Sequence, residues 1–334
     1  MGKNKSFSEK LDTIFLLCGE WVEGQGEDCY CSSLGADSAL SGVFDGCGGI
    51  GARSYRSFGM HTGAYMASRV VSGAVYEWYR REMADGWREQ PQMVQEIRKS
   101  IDRAYHACGT YAQERMKIRG SLVRDYPTTA AVALAHEEGK DIVLDILWAG
   151  DSRVYLLTPR GLLQATADDV EGSDAMENLQ DDGAMTNVLS SDGKYVLHHR
   201  RVRSDRPFMV ITATDGCFGY YHSPMEFENV LLQSLTRAQS PLAFQTALNG
   251  AFREVAGDDY TLGLMSIFFG SFENTREQFR ERARYMQTAY ADCLPDGDSV
   301  PDGEVLRRRW QEYRKGYSAL LKDTEKRTSA QREE

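Results

Sequence analysis

Apolar residues along this chain fall into short extended runs separated by a few longer amphipathic stretches. Runs rich in β-branched and aromatic residues recur at 12–21 (DTIFLLCGEW), 38–45 (SALSGVFD), 128–137 (TTAAVALAHE), 141–150 (DIVLDILWAG), 152–158 (SRVYLLT), 194–199 (KYVLHH), 207–215 (PFMVITATD) and 260–270 (YTLGLMSIFFG). Each predicts a strand, and turn sequences such as HEEGKD and AGDS predict antiparallel pairing of neighbours. From Gly59 to Trp78, small and apolar residues at 60, 63, 64, 67, 70, 71, 74, 75 and 78 trace one face of a helix. The segment Pro91 to Met116 repeats the pattern through Val94, Ile97, Ile101, Ala104, Tyr105 and Cys108. Two successive helices without an intervening strand predict an antiparallel pair lying on a sheet. A third helix is expected at 241–255, with Pro241 in its first turn.

Two regions break this rhythm. Residues 168–194 are acidic and rich in turn formers, which predicts a long surface loop or a small inserted flap. Beyond Gly270, charged helix formers fill two runs separated by DCLPDGDSVPDGE, which predict two amphipathic helices and a frayed tail from about Lys322. In the second run Trp310, Tyr313 and Tyr317 share one helical face that could dock on the body or on a partner such as a kinase. The expected division is therefore a body over 1–270 and a charged helical extension over 271–334.

The net charge of −10 resides entirely in the body, because residues 271–334 carry 13 Lys or Arg against 13 Asp or Glu. An acidic body argues against a nucleic-acid partner, which requires a basic face. It suits a set of carboxylates awaiting divalent cations. The apolar run TIFLL near the start is too short for a signal-peptide core, and no stretch approaches a membrane span, so a cytoplasmic protein without a membrane partner is expected. Seven scattered cysteines without a C-x2-C pair suggest neither a disulfide framework nor a structural zinc site. The six histidines form no metal set.

The candidate chemistry is carried by carboxylates. Glu27-Asp28 in GQGEDCY, Asp45-Gly46 in GVFDGCGG, Asp215-Gly216 in ITATDGCF and Asp258-Asp259 in AGDDYTLGLM each lie beside an apolar run and a glycine or turn, and Asp151 sits between two strands in LWAGDSRVYLL. Any one of them reads equally as a turn. Together, at the edge of one sheet, they could supply the oxygen ligands that a pair of hard cations needs.

In this order, these motifs resemble those of the metal-dependent protein phosphatases of the 2C type, over roughly residues 12–270. GVFDGCGG resembles the family's GVFDGHGG, LWAGDSRVYLL its NVGDSRAYL, ITATDGCF its LATDGLWD, and DDYTLGLM its DNxTxxxV. The resemblance implies an α+β fold, a four-layer α-β-β-α sandwich of two mostly antiparallel sheets flanked by helix pairs. It implies a serine/threonine protein phosphatase that hydrolyses phosphoserine or phosphothreonine with a water bridging two Mn or Mg ions. Carried over, Asp45 would bridge the ions, with the Gly46 carbonyl and Glu27 or Asp28 on the second ion's side. Asp215 and Asp258 would hold the first ion, and Asp151 would lie near a weaker third. The implied partner is a phosphorylated protein substrate, with a cognate serine/threonine kinase as a further candidate partner.

Three positions depart from the family pattern. Cys47 replaces the His that would protonate the leaving alkoxide, Gly219 replaces an Asp associated with the third ion, and Glu23 replaces a phosphate-binding Arg. Arg53 is the candidate substitute for that last role, with Arg56 beside it. The departures raise a second reading, a weakened or inactive phosphatase-like protein that senses phosphoprotein or metal. A thiol-phosphatase reading also exists, since Cys47 and Arg53 have C-x5-R spacing. It is opposed by Asp45, which would raise rather than lower the thiol pKa.

Overall fold

The computed structural model describes residues 7–83, 86–87, 92–112, 125–172, 174–176, 179, 183–290 and 303–321. The expected tail from Lys322 and the end of the second helix beyond Ala112 lie outside the described residues. Among the described residues, ten strands form two five-stranded antiparallel sheets. The first has the order β1 (Leu11–Gly19), β10 (Tyr260–Ile267), β9 (Phe208–Ala213), β6 (Arg153–Thr158), β7 (Gly161–Gln164). The second has the order β2 (Cys29–Leu34), β3 (Ser38–Phe44), β4 (Ala130–Glu138), β5 (Asp141–Ala149), β8 (His198–Ser204).

The layering follows from strands that are apolar on both faces. On β9, Phe208 and Val210 enter the core between the sheets, while Met209, Ile211 and Ala213 face the helices outside. On β4, Ala131, Ala133 and Ala135 point inward between the sheets, and Val132 and Leu134 point outward. The small alanines on the inner side suit close approach of two sheets, and near-continuous apolar strands are what burial on both faces demands. Helices α1 (Gly63–Glu82) and α2 (Met93–Ala112) cover the second sheet, burying Trp78, Ile97, Ile101 and Tyr105. Helices α3 (Pro224–Arg237), α4 (Pro241–Val255), α5 (Phe272–Ala289) and α6 (Gly303–Tyr317) cover the first. The expected four-layer α-β-β-α sandwich is the observed one.

Some elements differ from expectation. Helix α1 begins at Gly63 rather than Gly59, because Thr62 caps it by accepting from the Tyr65 N–H at 3.0 Å, and Met60 stays exposed. Strand β8 runs four residues later than the predicted 194–199. It is a sheet edge whose alternating charges find partners, with Arg203 donating to Glu138 at 2.6 Å and Arg201 to Asp145 at 2.8 and 3.0 Å.

The extension packs into the same core as the first sheet. Phe279, Met286, Trp310 and Tyr317 are buried with Leu157 and Leu162. Trp310 donates its indole N–H to Asp174 at 2.8 Å, and Arg314 donates to the same carboxylate at 2.9 Å, so α6 grips the segment that follows the β6–β7 hairpin. The apolar face of α6 thus docks on the body.

Asp145 lies fully buried on β5, accepting from His199 at 2.8 Å and Arg201, with His136 at 3.3 Å. Burial opposes its ionisation, but these hydrogen bonds outweigh it and hold the carboxyl below the usual carboxylate range. A depressed acid contributes stability that is present above the ordinary pKa of ~3.9 and is lost as pH falls below it. Denaturant midpoints measured at pH 7 and pH 3 should therefore differ less in Asp145→Asn than in the wild type.

Candidate metal centre

The strand ends that carry the acidic motifs meet at one edge of the sandwich. Asp28 precedes β2, Asp45 follows β3, Asp151 and Ser152 join β5 to β6, Asp215 follows β9, and Asp258 precedes β10. The recess leaves Asp28, Asp45, Asp151 and Asp215 partly exposed. Burial first, then Asp215, Asp28, Asp151 and Asp258, pushes Asp45 well above the usual carboxylate range. Burial also pushes Asp28 up to about 8, with Asp215 and Asp259 adding to it and the hydroxyl of Thr214, which donates at 2.8 Å, opposing it. Asp151 rises to about 8 through burial and then Asp215 and Asp168. Carboxyls that raise one another in this way cannot all ionise without positive charge between them.

Backbone ties hold the recess in place. Asp45 accepts from the Thr128 hydroxyl at 2.6 Å and the Thr129 N–H at 2.8 Å, and the Thr129 hydroxyl meets Ser152 at 2.6 Å, so the Asp45 and Asp151 loops share one network. Gly46 pairs with Thr128 in an isolated bridge. Gly150 has φ +91°, a left-handed conformation that glycine adopts without strain, and its N–H donates to Asp169 at 3.0 Å. At Gly216 an added Cβ would lie 1.9 Å from the Asp259 carbonyl, so only glycine lets the Asp215 and Asp258 loops approach this closely. Asp259 in turn accepts from the N–H groups of Trp21 at 2.8 Å and Glu27 at 2.6 Å, securing the loop that carries Asp28.

The donor set fits hard divalent cations: oxygen ligands only, several of them carboxylates, with Oδ1 of Asp151 sealed from solvent and lacking a hydrogen-bond partner. Among the described residues, however, no three His, Cys, Asp or Glu side chains converge on a single point. The carboxylates are gathered within electrostatic reach of each other rather than closed into a finished ligand shell.

The other candidates separate. Glu27 accepts from the Thr62 hydroxyl and lies beside Gly48, and its carboxyl is raised by burial. Between Glu27 and Asp28, it is Asp28 that sits among Asp45 and Asp215. Cys47 caps the single helical turn Gly48–Gly51, with its thiol 3.9 Å from the Asp45 carbonyl, and burial and then Asp45, Asp151 and Asp215 push it well above the usual thiol range. That is the opposite of what a thiolate nucleophile needs. Arg53 places its guanidinium 4.8 Å from the centre of the Tyr55 ring. Sequence reasoning missed Arg69, which donates to the carbonyls of Gly26 at 3.1 Å and Glu27 at 3.3 Å and stacks 3.4 Å from the Tyr65 ring centre. Its place on α1, one turn beyond Tyr65, was the available signal.

A family model described as Protein phosphatase 2C matches residues 30–253, about two thirds of the chain. The chain belongs to the protein phosphatase 2C family. The serine/threonine phosphatase Stp1 from Staphylococcus aureus is similar in fold, with a TM-score of 0.56 and 19% identity over 80% of this chain and 99% of that one. The serine/threonine phosphatase PstP/Ppp of Mycobacterium tuberculosis superposes with a TM-score of 0.51 at 16% identity, over 77% of this chain and 99% of that one. PppA, described as a key regulatory component of T6SS in Pseudomonas aeruginosa, gives 0.51 at 17% identity over 77% and 97%. No curated protein sequence matches the chain. No helix among the described residues is long and apolar enough to cross a membrane.

Proposed function

We propose that the chain is a metal-dependent serine/threonine phosphatase acting on phosphorylated proteins, with two Mn or Mg ions held in the carboxylate recess. The observation that carries this reading is the meeting of Asp28, Asp45, Asp151 and Asp215 from separate strand ends, each of the first three raised by burial and then by its acidic neighbours. Asp45 with the Gly46 carbonyl, Asp215, Asp258 and Asp28, together with Glu27, would hold the ions. When bound, the ions supply Lewis-acid polarisation of the phosphoester. The chain's own part is to fix these oxygens through Thr128, Thr129 and Asp259, and to leave the recess open to a phosphorylated side chain. Arg69 orients the Gly26–Glu27 carbonyls. Cysteines among the described residues are all free thiols, in keeping with a cytoplasmic setting.

Cys47 stands where the resemblance places a general acid, and a thiol held protonated by burial is a weak donor. A positioned general acid contributes ~10² to 10⁴-fold. Cys47→His should therefore raise kcat by about ten-fold or more, read in the same assay as the wild type. The test of the reading is hydrolysis of p-nitrophenyl phosphate and a phosphothreonine peptide with Mn, with Mg and with chelator. Turnover that persists in chelator and vanishes in Cys47→Ala would sink it. The trio Cys47, Gly219 and Glu23 favours a second reading, a phosphoprotein-binding regulator, for which tight Mn binding without hydrolysis is the signature.

A further inference from the structure

A cavity of about 820 Å³ opens between the turn of the β6–β7 hairpin and helices α5 and α6. It lies at the far end of the first sheet from the carboxylates. Strand β6 starts beside Asp151 and reaches the cavity at Thr158, and β9 leaves the cavity at Pro207 and ends beside Asp215. Six residues of strand separate the two sites by roughly 20 Å. The family model ends at residue 253, and the two helices that form one side of the wall lie beyond it, in the extension.

The wall is apolar, built by Leu162, Met225, Met286, Tyr290 and Tyr317, all buried. Arg282 also lines it, but is matched by Glu228 at 2.7 and 2.9 Å. Arg309 and Glu312 lie together on α6, and Arg160 and Arg206 add two guanidinium groups on the side of the strands. A local excess of guanidinium groups on a protein of net charge −10 is a departure from its general field. Ligand sites are cavities of ~300 to 1,000 Å³ with mostly apolar walls and a few placed polar groups, and arginine pairs with carboxylates through two parallel hydrogen bonds.

The geometry points to a second binding site here, for a small amphipathic carboxylate whose apolar body fills the cavity and whose head meets the arginines. Charge complementarity selects the anion, and the tyrosine and methionine wall selects the apolar body. Helix α6, which forms one side, also holds Asp174 through Trp310 and Arg314. The site therefore borders the helix that grips the flap.

The experiment uses the full chain in chelator without phosphorylated substrate, so its outcome is independent of the phosphatase reading. Decanoate is titrated by calorimetry, with decanol as the uncharged control. One saturable decanoate site per chain is expected, with decanol at least about ten-fold weaker. The double variant R160E/R206E should weaken decanoate by about ten-fold or more. Gly316→Leu places a side chain where a Cβ meets nothing within 4 Å, improves helix propensity and narrows the cavity, so it should abolish binding while circular dichroism stays unchanged. Absence of saturable binding, equal binding of decanol, or binding indifferent to both variants overturns the proposal.

Discussion

Replacing Asp45 by Asn should lower Mn-dependent kcat by about a thousand-fold or more while leaving the metal-free protein at least as stable as before. The first half follows from position. Burial and then Asp215, Asp28, Asp151 and Asp258, which come from four other strand ends, push Asp45 well above the usual carboxylate range, so it lies in the midst of the set. Loss of a few kcal/mol of metal-based stabilisation corresponds to that rate factor, since each ~1.4 kcal/mol is ten-fold. The second half follows from repulsion. In chelator, the amide removes one of several crowded acids that resist ionisation together, and sites built for function often sacrifice stability in this way. Steady-state kinetics with Mn and thermal unfolding in chelator check the two halves separately. A variant that loses both activity and stability would mark Asp45 as a structural residue.

The second large effect is expected beside the recess rather than in it. Arg153 is buried and held bidentately by Asp168, Nε to Oδ1 at 2.9 Å and Nη2 to Oδ2 at 2.6 Å, while its guanidinium stacks 4.3 Å from the centre of the Phe218 ring. Asp168→Ala leaves that guanidinium buried without its main counter-charge, a change that costs ~3 to 5 kcal/mol in comparable pairs. Urea unfolding should show the loss. The double variant Arg153→Met with Asp168→Leu should recover most of it, because replacing both partners with apolar groups of similar volume is often neutral. Failure of the double variant to recover would show that Arg153 has a further role through Tyr155, to which it donates at 3.1 Å.

Much of this was legible in the chain. The strands β4, β5, β9 and β10 are apolar at most positions and buried along nearly their whole length, and burial on both faces leaves little else they could be. The acidic motifs mark strand ends because a carboxylate beside glycine or a turn stops an apolar run, and the structure gathers those ends. Two kinds of element escaped, and a third was displaced. Strands β2 (CYCSSL) and β7 (GLLQ) are short and carry little pattern of their own, so their pairing with β3 and β6 decides them. Helix α3 opens with Ser223-Pro224 and Glu226, and Ser223 accepts from the Glu226 N–H at 3.3 Å; that capping signal was present and unread. Strand β8, HHRRVRS, is polar on both faces because its charges pair across the edge of the sheet, as His199 does with Asp145, and such pairing is a tertiary fact. The same holds for Arg69, whose use depends on the Gly26–Glu27 loop folding against α1.

The central claim is that the carboxylate recess is a divalent-cation site organised by Asp45. Calorimetric titration of Mn into the metal-free full chain at neutral pH, beside Asp45→Asn, tests it most directly. The account predicts saturable binding of two ions to the wild type and of no more than one, weakened, to the variant. A wild type that takes up no Mn, or a variant that binds as the wild type does, would contradict it.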